Sequence, residues 1–343
     1  MEKEINNILD ISSMFTRYLW GEERFDYKNV VLMIMDGMGC GVLERHLSAD
    51  SFLRRHMVKE IATVFPSTTT AATTTLKTGL PPAEHGWFGW DMYFAEDNKI
   101  VTLYMNTDYS FKRLPFRAFY DRESDIDIYT CFPGYVKYGC ADKNFYHKTT
   151  EQFFANIDRV CKVDGKKFVY SYCGEPDRFM HDNGVGSAKD LVKQINDDIE
   201  KLVTQNPDTL FVITADHGHI DVTEHIEIYK DADIMECLNH YPTLEPRATA
   251  YHVKAGMHES FRKAFKKYEQ DFDLFATGEL IDRGVFGEFK GEENKRFLGD
   301  YISIGKESNK AFLLNPDQPK LKGSHTGMTR DEMIVPLVII RNK

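Results

Sequence analysis

The sequence has no CxxC pair: its six cysteines, at positions 40, 131, 140, 161, 173 and 237, are scattered along 343 residues. A chain of this length can bury a large core without covalent staples, so a disulfide framework and zinc-finger chemistry are both set aside. It also lacks any apolar run long enough to cross a bilayer, and no basic segment followed by an apolar one marks its first residues as a secretory signal. The expected setting is the cytoplasm, with no membrane partner. Basic residues are outnumbered as well, 43 Lys and Arg against 53 Asp and Glu. A net charge of −10 argues against a nucleic acid duplex as partner, because that binding needs a basic surface. A small anionic substrate needs only local positive charge and stays compatible. Repeats, low-complexity tails and long linkers are missing too, and length points to two domains or to one large domain carrying an insertion. Nothing in the sequence bears on oligomeric state.

What is present is a set of unbroken apolar runs. Those at 30–35, 167–172 and 210–215 read as strands buried on both faces, and an amphipathic helix over 11–20 leads into the first. Before the third, Ser187-Ala188-Lys189-Asp190 opens a helix with a capping-box pattern, and its apolar positions run through Leu191, Ile195, Ile199 and Leu202. Strand, helix and strand in succession mean a parallel crossover, hence an α/β fold with a central, mostly parallel sheet flanked by helices. Residues 222–320 read differently, with a strand at 247–253, a charged amphipathic helix at 258–272 and short elements at 280–286 and 301–304. The expected organisation is a catalytic α/β core of 1–221 plus 321–343, closed by an apolar strand at 334–340. A smaller α+β insertion, 222–320, lies over the site.

One stretch organises the rest, Phe65-Pro66-Ser67-Thr68-Thr69-Thr70 running on through further threonines to Gly79. It follows a strand expected at 59–64 and enters a helix, so hydroxyls crowd a strand-to-helix turn. A helix N-terminus offers unpaired N–H groups and the positive end of a dipole, which places a hydroxyl there beside a ready phosphate site. The plainer reading is that Ser67, Thr68 or Thr69 caps the helix.

In open α/β sheets the site gathers at the carboxyl ends of the strands. Here those ends carry Asp36, then Glu175-Pro176-Asp177, then Asp216-His217-Gly218-His219. With His181 and His325 they make a carboxylate and imidazole set suited to Zn²⁺ or Mn²⁺ rather than to an all-oxygen cation. Asp177 and His181 are four apart, within reach of one ion from a single turn. Each also has a plainer reading. Asp36-Gly37 is a common turn dipeptide, Asp177 and His181 form a helix-start pair, Asp216-His217-Gly218 closes a strand, and His325 is a loop histidine. Their joint occurrence at strand ends favours the site.

The order Asp36-Gly, Phe65-Pro66-Ser67-x-Thr69, Thr78-Gly79, His85-Gly86, Glu175-Pro176-Asp177-x-x-x-His181, Asp216-His217-Gly218 and a late His325 resembles the alkaline phosphatase superfamily. Within it the type I phosphodiesterase/nucleotide pyrophosphatase branch looks most similar, from about residue 30 onward. The resemblance implies an alkaline-phosphatase-like fold and two divalent ions, zinc first and Mn²⁺ second. One ion would be held by Asp177, His181 and His325, the other by Asp36, Asp216 and His217. It implies Thr69 as nucleophile and metal contact, with Thr68 and Thr70 its competitors, and a covalent phospho-threonine intermediate on a small phosphate ester or nucleotide.

Phosphodiesterases of this branch carry an asparagine some twenty residues past the nucleophile, holding a non-bridging oxygen. That position falls at or near Trp90 here, which leaves the backbone N–H groups of Thr69 and Thr70, or Asn106, as stand-ins. No arginine lies near Thr69, and Lys77 is eight residues along the helix, which leans towards diesters. Trp87, Phe88, Trp90 and Tyr93 either stack on a leaving group or belong to a core. His219 and Glu175 stand where they could orient ligands or simply occupy exposed turns, and His85 has no assigned role. Phosphomonoester or phosphonate cleavage on the same metals is the alternative activity. A metal-holding protein without turnover is the alternative from another class.

Overall fold

The computed structural model describes residues 3–136 and 143–343, so Cys140 lies outside the described residues. The apolar runs become the middle of a seven-stranded sheet. Its order is Met57–Ala62, Ile334–Asn342, Thr209–Thr214, Asn29–Met35, Lys167–Cys173, Asp127–Pro133 and Asn144–His147. Asn29–Met35 pairs in parallel with Lys167–Cys173 on one side and Thr209–Thr214 on the other, and every residue of all three is buried. Burial on both faces explains why they read as continuous apolar runs rather than alternating ones. The terminal strand Ile334–Asn342 runs antiparallel to both its neighbours, which makes the sheet mostly rather than wholly parallel.

Register decides where the chemistry goes. Met35 pairs with Cys173, and Ile34 with Thr214, so the three central strands end level and release Asp36, Gly174 and Ala215 at one edge. Helices cover the sheet, among them Ile8–Leu19 against Thr69–Thr78, and Lys189–Gln205 against Thr150–Cys161 and Phe52–His56. Two local expectations fail. The helix after Ser187 starts at Lys189 with Ala188 as its N-cap and no side-chain cap bond, because Ser187 is taken up in a preceding turn of 3₁₀-helix. The helix expected over 258–272 spans only His258–Phe265 and passes through a 3₁₀ turn, because Phe272–Ala276 is drawn out as a strand against Tyr301–Gly305.

A second sheet of six antiparallel strands stands over the carboxyl edge of the first. Four strands come from 243–305, and two, Asp91–Phe94 and Lys99–Thr102, come from the segment after the threonine-rich helix. That segment brings its own core: Trp87 and Phe88 are fully buried with Phe94 and Phe297, and the Trp87 Nε1–H donates to the Leu114 carbonyl. Of the four aromatic residues considered for stacking, these two are therefore core. A short antiparallel pair, Ile220–Asp221 with Gly323–Ser324, ties residue 220 to residue 324 and so brings His219 and His325 to the same place.

Candidate metal centre

Thr68 is the N-cap of the helix Thr69–Thr78, yet no hydroxyl caps it. Ser67 Oγ donates to the Gly327 carbonyl at 2.9 Å, and Thr68 Oγ1 donates to Glu245 Oε1 at 2.5 Å. Thr69 Oγ1 lies 3.1 Å from His217 Nε2. From Phe65 to Lys77 every residue is buried except Thr69, which is partly exposed. The turn thus hides its other hydroxyls and leaves one open at the sheet's edge.

Around that hydroxyl the strand ends converge. His217 Nε2 is 3.3 Å from Asp36 Oδ1 and 3.5 Å from Asp216 Oδ2, and His181 Nε2 is 3.3 Å from Asp177 Oδ2. His325 Nε2 lies 3.8 Å from Asp177 Oδ1, and its ring stacks on that of His217 with centroids 3.8 Å apart. Gly37, at φ +70°, turns the chain just after Asp36, and a Cβ there would come within 2.8 Å of the Asp177 Cβ. Only glycine combines that backbone with that approach.

Each imidazole is aimed from behind. The Nδ1 of His181 faces the Gly323 carbonyl at 2.9 Å, that of His217 the Gly218 carbonyl at 2.9 Å and that of His325 the Ser67 carbonyl at 2.9 Å. A carbonyl only accepts, so Nδ1 carries the hydrogen in the neutral ring and Nε2 turns its lone pair into the site. Asp36 is held through Oδ2 by the Tyr172 hydroxyl, and Asp216 through Oδ1 by the N–H groups of Gly37 and His217.

The remaining oxygens are the evidence for a cation. Asp36 Oδ1, Asp177 Oδ1 and Asp216 Oδ2 are buried and face only imidazole Nε2 atoms, those of His217 and His219 nearest, an arrangement that costs stability unless positive charge meets it. Ligand atoms of Asp177, His181 and His325 lie within 4.8 Å of one another, as do those of Asp36, Asp177 and His217. Asp177 therefore stands between the two groups. A mixed nitrogen and carboxylate set of this kind fits a divalent transition ion.

Protonation in the metal-free protein follows from the same crowding. Burial opposes charge on Asp177, yet His181 and His219 hold its carboxyl well below the usual range. Burial likewise opposes charge on His181 and His217, but Asp177 raises the first to about 9 and Asp216 with Asp36 raises the second to about 10. Burial and the neighbouring charge of Asp36 push Asp216 well above its usual value. His325 goes the other way, driven well down by burial and by the charge of His217.

The other residues singled out in the sequence separate cleanly. His219 is no exposed turn residue: it is buried, with Nε2 3.1 Å from Asp177 Oδ1. Glu175 accepts from the Phe179 N–H and so caps the helix Asp177–Asn183. His85 is held in the core between the Thr75 hydroxyl and the Trp87 N–H. Asn106 is exposed with its amide donating to the Thr102 carbonyl, and Tyr93 stacks on His240. Trp90 has a half-exposed ring, and its backbone N–H donates to Glu245 Oε1 at 2.7 Å. Lys77 is buried over the rings of Tyr104 and Phe132, and burial lowers it to about 8 against the opposing pull of Asp216. Sequence reasoning missed Tyr172 and Glu245. Neither sits in a recognisable motif, and Glu245 comes from the insertion.

Residues 30–279 match the family model for type I phosphodiesterase / nucleotide pyrophosphatase. None of the curated proteins matches the sequence. Among solved structures, the chain is similar to an inactive threonine-to-alanine variant of murine ectonucleotide pyrophosphatase / phosphodiesterase 5 in complex with AMP. The TM-score is 0.70 and the identity 18%, over 90% of this chain and 87% of that one. The human counterpart gives a TM-score of 0.64 and 17% identity over 90% and 87%. Phosphonoacetate hydrolase from Sinorhizobium meliloti, bound to phosphonoformate, gives 0.67 and 16% over 92% and 90%. At such identities the structures establish a shared fold, whereas the family model spans most of the sequence. The chain belongs to the type I phosphodiesterase / nucleotide pyrophosphatase family, metal-dependent phosphoric ester hydrolases of the alkaline phosphatase superfamily.

Proposed function

We propose that the protein hydrolyses phosphodiesters or nucleotide pyrophosphates through Thr69 and a covalent phospho-threonine. The observation that carries this reading is the single partly exposed hydroxyl in an otherwise buried run, 3.1 Å from His217 Nε2. Thr68 and Thr70 are 1% and 0% exposed, and the Thr68 hydroxyl is already committed to Glu245, which weighs against either as nucleophile. The inactive murine relative carries a threonine-to-alanine change, which supports a threonine in that role.

Asp177, His181 and His325 would hold one divalent ion, and Asp36, Asp216 and His217 the other, with Thr69 beside it. Zinc is the first choice for such ligands and Mn²⁺ the second. Bound there, two such ions outweigh the three carboxylates by one positive charge, acidify a neighbouring hydroxyl and favour departure of an anionic oxygen. In the first half-reaction Thr69 Oγ1 gives up its proton to solvent and bonds to phosphorus as the bond to the leaving oxygen breaks, the bonding pair departing with that oxygen. In the second, water adds to phosphorus, the Thr69 Oγ1 bond breaks, and the hydroxyl is restored. The carbonyls of Gly218, Gly323 and Ser67 keep the three imidazoles oriented throughout. Phosphonate cleavage is a second reading, favoured by the similarity to phosphonoacetate hydrolase.

The division into a catalytic core of 1–221 with 321–343 and a cap of 222–320 belongs to the same proposal, with strands 91–94 and 99–102 lent by the core segment to the cap's sheet and the cap choosing the substrate. So does a cytoplasmic location, which fits five buried, unpaired thiols at Cys40, Cys131, Cys161, Cys173 and Cys237.

The experiment is hydrolysis of bis-p-nitrophenyl phosphate and p-nitrophenyl phosphate by wild type and Thr69→Ala, with Zn²⁺ or Mn²⁺ added and peptide mapping of acid-quenched enzyme. The reading expects diester preference, loss of turnover with metal retained in the variant, and phosphate on Thr69. Full activity in Thr69→Ala would overturn the nucleophile, and a monoester preference would overturn the substrate class.

A further inference from the structure

The carboxylate of Glu245 has no place in the mechanism above, yet the fold goes to some length to deliver it beside the nucleophile. It comes from the second sheet, in the turn between Thr243–Leu244 and Ala248–Tyr251, and is 5% exposed. Its Oε1 accepts two hydrogen bonds, from the Thr68 hydroxyl at 2.5 Å and from the Trp90 N–H at 2.7 Å. Thr68 immediately precedes Thr69. Trp90 lies at or near the position where the family resemblance implies a phosphate-holding asparagine.

The backbone around Glu245 is fully used. Its N–H donates to the Ala248 carbonyl, and its own carbonyl accepts from the Thr249 hydroxyl. Leu244 before it is buried at φ +70°, the left-handed region that a branched side chain normally avoids. A Cβ on Gly89 would meet the Leu244 Cα at 2.8 Å, so a glycine also makes room for this turn. Strain of this kind persists where surrounding structure over-determines it, characteristically near a working site.

We infer that Glu245 is a specificity-determining residue that selects monoanionic phosphodiesters against dianionic phosphomonoesters, the inference resting on the phosphoric ester hydrolase reading above. The reason is distance and charge. Burial raises the Glu245 carboxyl to about 7 against the two hydrogen bonds converging on Oε1, so the group carries its negative charge at alkaline pH. Thr68 and Thr69 are consecutive, so Oε1 lies within about 11 Å of Thr69 Oγ1, and within about 14 Å of any phosphorus that Oγ1 attacks. At that range, with an effective dielectric of about 20, one additional negative charge on the substrate is disfavoured by a factor of about ten. A diester carries one such charge and a monoester, at alkaline pH, two.

The test compares kcat/KM for bis-p-nitrophenyl phosphate and p-nitrophenyl phosphate at alkaline pH in wild type and Glu245→Gln, both metal-loaded and matched for ion content and melting temperature. Glutamine retains an acceptor oxygen for both donors while removing the charge. Expected is a rise of about tenfold in the monoester-to-diester ratio, carried by the monoester. An unchanged ratio, or equal loss on both substrates, would overturn the inference and reduce Glu245 to a structural link. Should Glu245→Gln fail to fold, Glu245→Met is the second neutral variant and is read the same way. A wild-type preference for monoesters would instead strike at the proposed substrate class, whatever the variants do, so the two failures are distinguishable.

Discussion

Stripping the protein of metal and titrating ions back would test the site through the protons it must give up. In the metal-free protein burial opposes charge on both His181 and His217, but Asp177 lifts the first to about 9, and Asp216 with Asp36 lifts the second to about 10. Below those values each Nε2 holds a proton that an incoming ion has to displace, so loading at neutral pH releases at least about one proton per ion. From about pH 7 to 8.5 the apparent affinity for Mn²⁺ then rises about tenfold per pH unit, roughly thirtyfold in all. The rise levels off near 9 for the group containing His181 and near 10 for that containing His217. The stability of the stripped protein runs in the opposite sense. Both folded-state values lie above the ordinary histidine value of about 6.5, so the stabilisation is complete below about pH 6.5 and is lost as pH climbs through the folded values. The gap in melting temperature between loaded and stripped protein therefore widens with rising pH over this range. Calorimetric titration in two buffers of different ionisation enthalpy counts the protons, and thermal melts at three pH values read the gap. No proton release with flat affinity would refute the reasoning, because it would mean that neutral imidazoles already face these carboxylates.

Two further outcomes follow from the same geometry. His325→Ala removes one Nε2 from the group containing Asp177 and His181 and should lower metal content by about one ion per chain, as elemental analysis would read it. Unchanged stoichiometry would take His325 off the ligand set. Arg247→Met strips the fully buried Glu332 of a guanidinium that contacts both its oxygens, at 2.7 and 3.2 Å. Leaving that carboxylate unpaired costs about 3–5 kcal/mol, or about 4–7 °C in Tm for a chain of this length. The double variant Arg247→Met with Glu332→Leu should recover only part of that loss, since Glu332 also accepts from the Gly327 N–H and the Thr329 hydroxyl, and a silent single variant would show that the pair does not hold the cap to the segment following His325.

Much of the core was legible because burial on both faces writes itself into a sequence as unbroken apolar runs. The strands at 29–35, 167–173 and 209–214 were placed to within a residue or two for that reason. The candidate residues at their ends were legible as a cluster too, since a parallel sheet presents its carboxyl ends at one edge and polar residues there stand out against the runs before them. The helix boundaries at Lys189 and Phe265 were not, because a cap or a strand partner several residues away decided them.

The second sheet shows the limit most clearly. Nothing local in Asp91–Phe94 or Lys99–Thr102 says that they pair with strands from 243–305, because that register is set by contacts some 150 residues distant. By itself the sequence determined the α/β class, the order of the central elements and the carboxylates and imidazoles that gather at the strand ends. Each of these depends on residue type and on neighbours along the chain. Only the tertiary structure decided which hydroxyl of the threonine run stays reachable, that His219 turns inward to Asp177, and that Glu245 lands on Thr68. Those depend on which distant segments occupy the space around a residue, and a pattern along the chain does not carry that information.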